Sequence, residues 1–72
     1  MQAEDRARLL DVLEAASDAR SFVQGETRAS LDRDKKLALA LRKCIEIIGE
    51  AAANVSDEAR ALLPEIPWPK VV

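Results

Sequence analysis

An all-α fold is what this sequence predicts: an up-and-down antiparallel helical bundle of two long helices and a short third. Three observations lead there. The hydrophobic fraction is 49%, yet Phe22 and Trp68 are the only aromatics, so the apolar content is Leu, Ile, Val and Ala, which suit packed helices more than strands. Those residues recur at intervals of three and four, the period of a helix with one buried face. Turn and capping signals separate the periodic stretches.

From Ala3 to Gln24, the residues Leu9, Leu10, Val12, Leu13, Ala16, Ala19, Phe22 and Val23 keep helical spacing, with Arg6, Arg8, Glu14, Asp18 and Arg20 between them. Gly25 follows, where a backbone of positive φ ends a helix at low steric cost. Gly25 to Arg28 reads as a turn. Ser30 or Asp32 is expected to cap the second helix, whose apolar line is Leu37, Leu41, Cys44, Ile45, Ile48, Ala52 and Val55. Leu39 stands apart from that line, among Lys35, Arg42, Lys43, Glu46, Glu50 and Asn54, and is a candidate contact for another chain. Gly49, inside the helix, costs about 0.8 to 1 kcal/mol relative to Ala and makes sense if another backbone passes close by.

Ser56-Asp57-Glu58-Ala59 has the form of a capping box opening a short helix to about Leu63. Beyond it, Pro64, Pro67 and Pro69 are expected to prevent regular helix through residues 64–69, leaving an ordered connector with Ile66 and Trp68 as anchors.

Composition limits the chemistry. The 72 residues make one domain, and a domain that small buries only about 60% of the surface its unfolded chain exposes. A second copy is therefore expected to complete the core, through an interface of Leu37, Leu39, Leu41, Ile45, Ile48 and Gly49. Cys44 is the single cysteine and there is no histidine, so neither an internal disulfide nor a common zinc constellation is expected, and no metal or other cofactor is assigned. A thiol on the apolar line, without a basic neighbour there, reads as packing rather than as a nucleophile. The charged start and the lack of a long apolar run predict a cytoplasmic protein without a membrane span. Net charge is −2, which gives no general attraction to nucleic acid. Arg33, Lys35, Lys36, Arg42 and Lys43 could line an RNA groove, but Asp32, Asp34 and Glu46 dilute their field, so RNA contact is expected to be weak or absent.

Cys44-Ile45-Glu46-Ile47-Ile48-Gly49-Glu50-Ala51-Ala52, then Val55-Ser56, then Pro64-Glu65-Ile66-Pro67-Trp68 closely resembles the HepT-like toxins of the HEPN superfamily, which pair with minimal nucleotidyltransferase antitoxins. The resemblance covers nearly all of the chain, more diagnostically from Leu37 onward than in the first helix. It implies a dimerising helical bundle with a metal-independent ribonuclease site along the dimer cleft. It also implies that the catalytic residues, an Arg, a His about a turn later and a Tyr two residues beyond, stand on a helix after the P-E-I-P-W string. No arginine follows Arg60, and histidine and tyrosine are absent from the chain. The expectation is thus a shortened family member, catalytically inert, with no catalytic residue to assign. Glu46 and Glu50, one turn apart, are either a solvated face paired with Arg42 and Lys43 or a carboxylate pair beside the cleft. Trp68 is either an apolar anchor for the connector or a stacking platform for a base.

Overall fold

The computed structural model describes residues 1–71. The chain forms five helices in the order α1 (Ala3–Val23), α2 (Arg28–Arg33), α3 (Lys35–Ala53), α4 (Asp57–Ala61) and α5 (Trp68–Val71), and no strand occurs among the described residues. The two long helices pack along each other with opposite direction, the start of α1 lying beside the end of α3, in a body of 42 × 20 × 17 Å. No helix is long and apolar enough to cross a membrane.

α1 ends one residue short of the span read from periodicity and α3 starts two to four residues later than the expected caps implied, and the ends of both follow from local chemistry. Gly25 closes α1 with a φ of 78°, and the Glu26 N–H donates to the Val23 carbonyl at 3.0 Å. The turn that follows holds a helix that periodicity did not reveal. Thr27 caps α2, exchanging hydrogen bonds with Ser30 at 3.1 and 2.9 Å. Asp34, at the end of α2, caps α3 by accepting the Leu37 N–H at 3.0 Å. The expected caps, Ser30 and Asp32, both fall inside α2. A six-residue helix is too short to show a repeat, so its caps were its only sign.

The buried apolar residues are small: Ala15, Cys44, Ala51, Ala52, Val55 and Ala59. Alanine faces let helix axes approach closely, but each buries little apolar area, so the hydrophobic stabilisation per helix pair is modest. No large side chain is fully buried among the described residues. Leu10, Leu13 and Ile45 are 63%, 65% and 67% exposed. Ile45, placed on the apolar line by its spacing, turns away from α1, whereas Ile47, outside that line, lines the α1–α3 contact with Ala15.

Candidate functional site

One end of the molecule concentrates the polar contacts. The Ser56 hydroxyl caps α4 by accepting the Ala59 N–H at 3.1 Å. The third helical position there is Ala59, not an acid, so the reciprocal half of the expected capping box is missing from the local sequence. Asp5 supplies it from α1. Its carboxylate accepts the Ser56 N–H at 2.8 Å and the Ser56 hydroxyl at 2.8 Å, across 51 positions of sequence, and takes the Gln2 N–H at 3.4 Å. Asp5 is 4% exposed. The backbone donor of Ser56, then its hydroxyl, hold the carboxyl below its ordinary pKa of 3.8, since donors aimed at a carboxylate favour its charged form.

Arg60 closes the same end. Its Nη2 donates to the Ala52 carbonyl at 3.0 Å and to that of Ala53 at 3.4 Å, placing a cation on the C-terminus of α3, where the helix dipole favours it. Its guanidinium carbon stands 5.4 Å from the centre of the Trp68 ring, in cation–π range. The Trp68 indole N–H donates to the Leu63 carbonyl at 3.2 Å. Trp68 therefore anchors the connector. It also starts α5, which the prolines were expected to forbid: Pro69 falls in the first turn, where its missing N–H has no intrahelical partner to lose. The α5 backbone crosses Gly49. A Cβ there would lie 3.7 Å from the Val71 carbonyl oxygen, so the close approach comes from the chain's own connector and still leaves room for a methyl group.

The two glutamates singled out from the sequence are not brought into one site. Glu46 faces Lys43 at 3.9 Å on the exposed side of α3. Glu50 lies in a seam between α1 and α3 with Arg8, Asp11, Ile47, Ala51 and Asn54. Within it Arg8 pairs with Asp11 at 3.2 Å, while the buried Arg8 Nε has no hydrogen-bond partner among the described residues. With two carboxylates to one guanidinium, this seam disfavours a phosphate and suits hydrogen bonding or a cationic group. Nothing in the sequence singled it out, since Arg8 and Asp11 sit in a helix whose charged residues all looked solvent-facing.

Of the remaining candidates, Cys44 is buried in the core as a packing residue. Leu37, Leu41, Ile48 and Gly49 are half-buried, and Leu39 is exposed. Arg33, Lys35 and Lys36 share one shallow hollow with Glu26, Thr27, Ala29, Ser30 and Asp34, while Arg42 and Lys43 lie outside it.

The family model described as "Ribonuclease HepT-like" matches residues 12–72. Two proteins of Methanocaldococcus jannaschii are similar. "Putative RNase MJ1380" is 31% identical across 93% of this chain and 62% of its own length, and "Putative RNase MJ0127" is 35% identical across 88% of this chain and 52% of its own. "Probable ribonuclease HepT" of Thermococcus cleftensis is 37% identical across 81% of this chain and 56% of its own length. The chain thus spans about half to three-fifths of these relatives. No solved structure matches it. The family match over most of the sequence, on a bundle of two long helices closed by α4 and α5, places this chain in the HepT-like ribonuclease family.

Proposed function

We propose that this chain is the scaffold portion of a HepT-like toxin, inert toward RNA in its present form, and that it acts by binding rather than by cleavage. The observation that carries this reading is compositional: the 72 residues include no histidine and no tyrosine. Metal-independent RNA cleavage needs a group to take the proton from the ribose 2′-hydroxyl, and histidine serves because its pKa of about 6.5 lies near working pH. The seam around Glu50 offers carboxylates instead, beside a guanidinium already held by Asp11. Without a tyrosine, a minimal nucleotidyltransferase partner would find no phenol to modify, so its engagement here reduces to docking.

Self-association belongs to the same reading. Ile45, 67% exposed beside the half-buried Leu41 and Ile48, supports a second copy covering this flank of α3. Gly49 already lies under α5, so the flank is contributed by Leu37, Leu41, Ile45 and Ile48, with Leu39 on a separate face.

The test is incubation of the pure chain with RNA in the absence of added metal. Cleavage no greater than in buffer is expected. Specific cleavage that disappears on Glu50→Gln would overturn the reading and move the chemistry into the α1–α3 seam.

A further inference from the structure

The stretch that follows α4 is hydrogen-bonded to itself rather than to the long helices. The Ile66 N–H donates to the Leu63 carbonyl at 3.2 Å, the Trp68 N–H to that of Ile66 at 2.9 Å and the Lys70 N–H to that of Pro67 at 2.9 Å, while the Trp68 indole reaches back to Leu63. Among the described residues no hydrogen bond or ion pair joins residues 63–71 to α1 or α3. None of them is buried: Leu63, Ile66, Trp68 and Val71 are half-buried and the others exposed. Two contacts hold the far end in place, the Trp68 ring against the Arg60 guanidinium and the α5 backbone across Gly49.

Arg60 is seated from both sides. Its Nη2 bonds to the Ala52 and Ala53 carbonyls fix it on the C-terminus of α3, and Trp68 stands over it. This closure leaves one donor dry. The Arg60 Nε is buried with no hydrogen-bond partner among the described residues, and water would satisfy it if the ring lifted. A segment braced within itself, with no buried residue and with an unsatisfied donor beneath it, meets the physical conditions for opening as a local unit below global unfolding.

We propose that residues 63–71 are a strap that lifts off α3 as one body while α1 and α3 stay paired, with Arg60 as its latch and the end of α4 as its pivot. Lifting bares the Gly49 side of α3. The hydrogen bonds of Asp5 to Ser56 involve no strap residue and persist in both states, so the chain presents two different surfaces at this end on one unchanged helix pair.

Trp68 is the only tryptophan, so its fluorescence reports the strap while far-UV circular dichroism reports the long helices. In the full chain, heating should change the Trp68 signal before helix is lost. Gly49→Ile puts a branched side chain beneath a carbonyl that would lie 3.7 Å from its Cβ, and should raise acrylamide quenching of Trp68 to the level of the chain in urea with helix content retained. Gly49→Ala fits, so quenching should match the parent and the helix melt should rise, since Ala favours helix over Gly. Arg60→Lys keeps a cation at the end of α3 but loses the flat face under the ring, and its quenching should fall between those of the parent and Gly49→Ile. Coincident melts by the two probes, Trp68 as protected as in the parent in Gly49→Ile or Arg60→Lys, equal exposure in Gly49→Ala and Gly49→Ile, or loss of helix together with Trp68 protection would each overturn the proposal.

Discussion

The two ends of this bundle are built on different terms. At the closed end, where α1 begins and α3 finishes, Asp5, Ser56, Arg60 and Trp68 form a continuous set of hydrogen bonds and a cation–π contact over Ala51, Ala52, Val55 and Ala59. At the open end, where α1 finishes and α2 turns into α3, no residue between Ala15 and Cys44 is buried, and the side-chain hydrogen bonds of the turn join residues three or four positions apart. Local capping is enough to shape the open end. The closed end is held by groups that only the finished fold brings together. A small alanine-rich core thus acquires its definition from polar contacts at one end, where the Asp5 carboxylate, the Ser56 hydroxyl and the Trp68 indole N–H all have partners.

The same substitution made at both ends exposes the contrast most sharply. Ala52 is completely buried, so Ala52→Leu inserts a larger side chain where nothing can yield, and the expected cost is on the order of 3 kcal/mol. For a domain this small that lowers the melting temperature by roughly 10 °C or more. A melt of Ala52→Leu matching the parent would mean that the closed end is looser than its geometry implies.

Asp5→Asn should come next. Because Ser56 holds the folded pKa of Asp5 below 3.8, the carboxylate stabilises the fold fully above that value and progressively less as pH falls through the lowered pKa. The melting temperature of Asp5→Asn should therefore lie below the parent's at pH 7, and the two should converge below pH 3.8. A gap that stays constant from pH 7 into the acid range would assign the effect to packing rather than to charge.

The smallest effect is expected from Ala29→Leu. Ala29 is exposed on α2, and an added side chain there should change stability by no more than about 0.5 kcal/mol. A loss comparable to that of Ala52→Leu would erase the distinction between the ends.

Sequence reading recovered what repeats and missed what does not. The spans of α1 and α3 followed from spacing, as did the positive φ at Gly25. α2 was invisible because six residues give less than two turns, too few for a period to register. Pro69 concealed α5, since proline forbids helix interiors but not first turns. The α3 stripe was broader than its true contact: helical spacing placed Ile45 with Cys44, and only the position of α1 shows that Cys44 and Ile47 face inward while Ile45 does not. The family signature was legible in full. Asp5 was not, because an acid in the first turn of a helix is ordinary, and its partner lies 51 positions away.

That separation also bears on the order in which the molecule can be assembled. Joining Asp5 to Ser56 closes a loop of 51 positions, which in loop-closure terms costs roughly 3 to 4 kcal/mol before any contact is made. The turn around Gly25 and the capped start of α3 need no such closure and can form as soon as their residues leave the ribosome. The Asp5 carboxylate must wait until the 51 positions that follow it have been synthesised before it meets its donors. During synthesis, then, the loosely packed turn around Gly25 takes shape before the end that Asp5 and Ser56 fasten.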